Sequence, residues 1–170
     1  MSVTQAAEFY GPVREVLRSK LKEVVAARSA SLLEKEFGFR IPPNEAGKLG
    51  EVLGPLFADN QFENIIRFMA GKAPSECDRS QQDAPGSERC IALIYEGVEA
   101  VNKIRDVLGP TDPSKAPPGS IRREFGQTIM VNAAHASDSE ENAQREMKIV
   151  RVDENTFKST IQSYLATGEV

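Results

Sequence analysis

The sequence predicts an α+β protein with a helical N-terminal third, and three features predict it. Phe9, Val13, Val16, Leu17, Leu21, Val24 and Val25 recur at three- and four-residue steps, the period of a helix with one apolar face. Two short apolar runs, residues 90–95 and 128–132, are bounded by turn residues and read as strands. Residues 1–40 contain no alternating run, so no central sheet strand is expected there.

The elements follow in order. Pro12 after Gly11 suits the first turn of the opening helix, whose other face carries Arg14, Glu15, Arg18, Lys22 and Glu23. A second helical piece over 31–37 should stop at Gly38, which takes a left-handed capping conformation without a side-chain penalty. Pro42 and Pro43 break the chain before a third helix, capped by Asn44, with Leu49, Val52, Leu53 and Leu56 as its apolar stripe. A fourth spans 62–69. Residues 71–89, rich in Ser, Asp, Gln, Pro and Gly, form a loop expected to move at its tip. Beyond the first strand, 98–108 is helical. After the second, a helix over 139–147 begins with Glu140 and Glu141 against its positive end. A short extended piece over 148–152 and a terminal helix over 155–165 close the chain, and no internal repeat is present.

Composition narrows the function classes. With 170 residues the chain holds one domain with a real core, or a domain plus a helical appendage. A net charge of −4 gives no global field favouring nucleic acid or an anionic membrane, and neither is an expected partner. No apolar run approaches a bilayer span. The first residues have neither a basic start nor an apolar core, so no signal peptide is expected and the expected location is cytoplasmic. Cys77 and Cys90 then read as free thiols, with a loop-closing disulfide as the alternative.

The single histidine, His135, lies in Asn132-Ala133-Ala134-His135-Ala136-Ser137-Asp138-Ser139. Upstream, residues 103–122 supply Arg105, Thr111 and Arg122 on a loop braced by proline and glycine. Histidine is uncharged and nucleophilic near neutral pH, and arginine and threonine donors suit phosphate oxygens. The pattern is an anion pocket leading to a nucleophile. Taken singly, each residue also has an ordinary structural explanation. Arg105 and Glu146 suit a solvated helix face, Thr111 suits a turn before Asp112-Pro113, and Asn132 suits a strand-end cap.

The ordered blocks Ile104-Arg105, Leu108-Gly109-Pro110-Thr111-Asp112-Pro113, Lys115-Ala116-Pro117-Pro118-Gly119-Ser120-Ile121-Arg122, Phe125, Asn132 to Ser139 and Glu146 resemble the catalytic half of nucleoside diphosphate kinases. A weaker match covers residues 59–69. The resemblance implies an antiparallel ferredoxin-like sheet covered by helices, with 1–40 as an N-terminal helical segment and 41–170 as the nucleoside diphosphate kinase-like domain. It also implies a homo-oligomer acting on nucleoside di- and triphosphates. His135 would be the nucleophile, Glu146 would fix its tautomer, and Ser137 would steady the site. Arg105, Arg122 and Thr111 would bind phosphates and Asn132 the ribose 3′-hydroxyl. Mg²⁺ would arrive with the nucleotide, with no metal site of the protein's own.

The chain departs from that pattern in four places. The family's first strand with its Lys-Pro-Asp motif has no counterpart, and Lys115 and Lys72 are the candidate replacements for its lysine. Gln61 and Leu53 fall where the base-stacking Phe and Tyr are expected. Arg123-Glu124 replaces Gly-Asp, and the 71–89 loop is an insertion. Two functions therefore compete. One is a phosphotransferase passing the terminal phosphate through phospho-His135 in a ping-pong cycle. The other is a catalytically weak or inactive relative that binds nucleotide or protein as a regulatory module.

Overall fold

The computed structural model describes residues 1–154 and 157–168, leaving out the side chains of Ser159, Thr160 and Ser163. The chain divides into two compact units, Met1–Cys90 and Ile91–Val170.

The first unit is helical. Helix α1 (Val3–Phe9) opens with a reciprocal cap, in which the Ser2 hydroxyl accepts the Gln5 N–H and the Gln5 amide oxygen accepts the Ser2 N–H. Helix α2 (Gly11–Phe37) runs through the two pieces expected separately and stops at Gly38, with φ 72° and its N–H on Glu34 O. Helix α3 (Pro43–Ala70) merges the next two pieces and carries Pro55 in its interior. An interior proline removes one helix bond and costs about 3 kcal/mol in isolation. Here α3 packs along α2, and tertiary packing overrides the local break. Pro42 rather than Asn44 occupies the cap position.

Small residues let α2 and α3 approach closely. A Cβ on Gly50 would lie 2.5 Å from Lys22 O, so any larger residue would force the helices apart. Further along α3, Phe62, Ile66 and Ala70 pack with Val3 and Ala6 of α1 into the unit's core. Arg14 and Arg18 of α2 converge on Asp59 of α3 at 2.9–3.0 Å, and Arg14 also lies 5.4 Å above the Phe62 ring. The 71–89 loop, expected to move, is pinned to the chain start by Thr4 N–H to Gln82 O and Gly86 N–H to Met1 O. Cys77 and Cys90 are free thiols.

The second unit contains α4 (Ala100–Leu108), α5 (Ile121–Phe125), α6 (Glu140–Val150) and α7 (Lys158–Thr167), with a 3-10 turn at Pro113–Lys115. Of the terminal helix expected over 155–165, Asn155 and Thr156 lie outside the described residues.

The expected ferredoxin-like antiparallel sheet is absent among the described residues, whose only β-pairing is an isolated bridge between Ser2 and Pro85. Residues 91–96 have no regular structure, and Ile91 and Leu93 are about 70% exposed. The 128–132 run closes on itself instead. Gln127 and Thr128 N–H donate to Val131 O, and Val131 N–H donates to the Thr128 hydroxyl. A strand needs a neighbour for its backbone groups. With the N-terminal third committed to helix, two short runs are too few to build a sheet. The extended piece expected over 148–152 is instead the end of α6 and its left-handed cap at Arg151, φ 51°.

Asp59 ties the α2–α3 pair to pH. Hydrogen bonds from Arg18 and then Arg14 outweigh burial and lower its carboxyl from 3.8 to about 2. A depressed folded-state value contributes stability that is present above the unfolded value and lost as pH falls through the folded one. The melting-temperature difference between wild type and Asp59→Asn is therefore expected to shrink as pH drops from about 4 to about 2. A pH-independent difference would show that Asp59 acts through packing alone.

Candidate active site

Helix α6 fixes the site's acid. Ser139 caps it by accepting the Asn142 N–H at 3.1 Å, with Glu140 and Glu141 in the first turn. Two turns on, Glu146 is buried at 8% exposure. Its Oε2 sits 3.0 Å from His135 Nε2 and accepts the Ser137 hydroxyl at 2.6 Å, while Arg145 Nη2 donates to Oε1 at 3.3 Å. Burial alone raises the Glu146 carboxyl. The hydrogen bonds from His135 and Ser137, with the nearby Arg145 charge, outweigh it and hold the carboxyl below its ordinary 4.5. Glu146 is held as an ionised acceptor, so the uncharged form of the His135 ring would place its proton on Nε2, facing Glu146. The His135 side chain is 39% exposed. The carboxylate is buried and the imidazole is partly exposed.

The loop before α6 approaches this pair in an unusual backbone conformation. Ala133 has φ 73°, in the left-handed region that a residue with a Cβ rarely adopts. On its α5 side, Arg122 is buried, and its Nε and Nη2 donate to Ala134 O at 3.2 and 2.8 Å. Its Nη1 donates to Gly109 O at 2.7 Å. Arg105, on the last turn of α4, reaches Ala136 O at 3.5 Å. Asp138 is bonded by Asn142 at 2.6 Å, and that bond lowers its carboxyl, with smaller contributions from the Arg105 and His135 charges.

The residues singled out in the sequence thus fall into two sets. His135, Ser137 and Glu146 are joined by hydrogen bonds, with Arg105 on the backbone between the first two. Thr111 and Asn132 are not bonded to this trio. Thr111 is exposed on the bend after α4, and the Asn132 amide donates to Ile129 O at 2.9 Å. Of the candidate lysines, Lys115 is exposed and 3.5 Å from Asp112, whereas Lys72 belongs to the first unit, as do Gln61 and Leu53.

Sequence reasoning missed Arg145, whose place beside Glu146 has no signal in spacing, and the α5 contacts to the preceding loop. There Glu124 accepts the Gly119 N–H at 2.9 Å and Arg123 donates to Ser114 O at 3.3 Å. These bonds give the Arg123-Glu124 departure a structural role.

A histidine paired with a buried carboxylate lies beside an arginine-bearing loop. The family model for nucleoside diphosphate kinase matches residues 80–155. A nucleoside diphosphate kinase of Methanocaldococcus jannaschii is 41% identical over 147 residues, covering 86% of this chain and 85% of its own. One from Campylobacter hominis is 38% identical over 120 residues, 61% of this chain and 83% of its own. One from Streptomyces coelicolor is 34% identical over 124 residues, 70% and 79%. The chain belongs to the nucleoside diphosphate kinase family. No solved structure matches it.

Glu146 is expected to decide the tautomer of His135. Ring ¹⁵N shifts in mildly alkaline buffer should show the Nε2–H form in wild type and the mixture typical of free imidazole in Glu146→Leu. Identical spectra for the two proteins would remove Glu146 from that role.

Proposed function

We propose that this nucleoside diphosphate kinase-type enzyme moves the terminal phosphate of a nucleoside triphosphate to a nucleoside diphosphate through phospho-His135. The observation that carries this is the His135–Glu146 pair, a partly exposed ring whose Nε2 faces a buried carboxylate. In the first half-reaction Nδ1 attacks the γ-phosphorus and an N–P bond forms. The bond from phosphorus to the β,γ-bridging oxygen breaks, and the diphosphate leaves with the electron pair. The Nε2 proton stays shared with Glu146, which stabilises the positive ring as it forms. The second half-reaction reverses these steps onto a new diphosphate.

Arg105 and Thr111 would meet the phosphates from α4 and the exposed bend after it. Asn132 would exchange its bond to Ile129 O for the ribose 3′-hydroxyl. Mg²⁺ would enter on the nucleotide. Of the carboxylates near His135, Glu146 is engaged by His135 and Ser137 and Asp138 by Asn142, a donor set suited to an ion already held by phosphate oxygens. The ion would offset phosphate charge during transfer. Self-association fits the large apolar residues exposed on α3, Val52 at 67% and Leu56 at 65%. No helix among the described residues is long and apolar enough to cross a membrane.

Incubation with γ-labelled ATP and Mg²⁺ should give an acid-labile, base-stable adduct that His135→Ala abolishes. His135 is the only histidine, so the label has one histidine to occupy. Wild-type protein that binds ADP yet never labels would make the chain a regulatory nucleotide-binding relative.

Base selectivity should be poor. Gln61 and Leu53 offer no ring, and stacking normally contributes about 1–3 kcal/mol per base. Titrations with ADP, GDP and CDP should agree closely; a preference of about tenfold or more, equal to about 1.4 kcal/mol, would contradict this.

A further inference from the structure

Arg145 meets Glu146 in a way that helix geometry does not supply. Consecutive side chains on a helix point about 100° apart, so neighbours do not face each other, whereas residues three apart do. The Arg145 guanidinium nevertheless turns to Glu146, its Nη2 donating to Oε1 at 3.3 Å. Its Nε donates, also at 3.3 Å, to the amide oxygen of Asn142, three residues back on the same face. Asn142 is held in turn, its Nδ2 donating to Asp138 at 2.6 Å and its backbone N–H to the Ser139 cap. A primary amide has donors at one end and an acceptor at the other, so Asn142 meets an acid with the first and a cation with the second. Arg145 has further contacts besides these two. The two complete a chain, Asp138–Asn142–Arg145–Glu146, that starts three residues after His135 and ends on the carboxylate paired with its ring.

Glu146 needs such a hold. The last torsion of a glutamate is broad and roughly two-fold, so a carboxylate gripped at one oxygen alone can turn. Oε2 already serves two donors, His135 at 3.0 Å and Ser137 at 2.6 Å. A guanidinium on Oε1 fixes the carboxylate plane and shares its charge, at a side chain only 11% exposed.

We propose that Arg145 is a positioning residue for His135: directed by Asn142, it holds the second oxygen of Glu146 and so keeps the first on the imidazole. The role rests on the phospho-His135 reading above. Arg145 acts through Glu146 rather than on the nucleotide, so its loss falls on the chemical step.

Single-turnover labelling of His135 by γ-labelled ATP and Mg²⁺ separates that role from binding. Arg145→Met should slow labelling about fivefold or more while ADP affinity stays within about twofold of wild type, since a misaligned nucleophile loses rate rather than binding. Arg145→Lys should not restore the rate, because one ammonium lacks the fork that meets Asn142 and Glu146 together. Asn142→Ala should slow labelling too, and the double variant should match Arg145→Met within about twofold, as for residues that act as one unit. His135 ring ¹⁵N shifts, taken without nucleotide, should move in Arg145→Met and in Asn142→Ala, although the Asn142 side chain bonds Asp138 and Arg145 rather than the ring. Added to Glu146→Gln, neither substitution should move them further. Full labelling rate in Arg145→Lys, losses that multiply in the double variant, or ring shifts that still move in the Glu146→Gln background each overturn the proposal. So does an ADP affinity weakened about tenfold in Arg145→Met, the mark of a nucleotide ligand. Arg145→Lys and Asn142→Ala keep a cation beside Glu146 and carry the test if Arg145→Met does not fold. Should wild-type protein bind ADP yet never label, the kinase reading fails by itself, and the ring shifts of the same variants still decide the role of Arg145.

Discussion

A carboxylate taken out of water must be met by donors, and Glu146 organises the second unit around that requirement. Its burial would drive the group neutral were it not for His135 and Ser137 on one oxygen and Arg145 on the other. Two of these donors come from the loop before α6 and one from α6 itself. Satisfying Glu146 therefore draws that loop onto the helix. It also orients the imidazole, with Nε2 facing Glu146. One electrostatic demand sets loop path and ring orientation together.

The remainder of the unit answers a second demand, the pairing of backbone groups without a sheet. Side chains take on work that a ladder would do. Arg122 bridges the carbonyls of Gly109 and Ala134, Glu124 accepts the Gly119 amide, Thr128 accepts that of Val131, and Asn132 donates to Ile129 O. A ladder would fix these segments by repetition. Single side chains fix them one point at a time, so the substitution of one residue, Arg122 above all, can move the backbone beside His135.

Legibility in the sequence follows the range of the interaction. The helices of the first unit show in their three-to-four spacing, and Gly38 shows as a terminator because left-handed φ favours glycine at a local level. The merging of the piece that carries Leu49 to Leu56 with the 62–69 piece into the single helix α3 was not legible, because packing on α2 decides it. The two apolar runs fit the local pattern of strands, yet pattern cannot supply the neighbour a strand needs, and 128–132 turned back on itself. At the site, the segment from Asn132 to Ser139 and Glu146 were readable as ordered blocks. Arg145 was not, since a salt bridge between adjacent residues leaves no trace in spacing. The Arg123-Glu124 pair was visible as a departure, but its partners in the 113–119 loop were not.

Charge at the site is local, and that bears on how a phosphate would be held. The chain is net −4, yet residues 103–123 carry five basic side chains, Lys103, Arg105, Lys115, Arg122 and Arg123, against the two acidic ones Asp106 and Asp112. Much of that excess is already engaged. Arg122 is buried on carbonyls, Lys115 lies 3.5 Å from Asp112, and Arg123 donates to Ser114 O. At physiological salt an exposed charge is screened over about 8 Å. An anion is therefore not drawn in from a distance by the molecule as a whole. Under the proposed function it would have to be recognised on contact, by the Arg105 fork and the exposed donors of the bend after α4, close to the His135 loop.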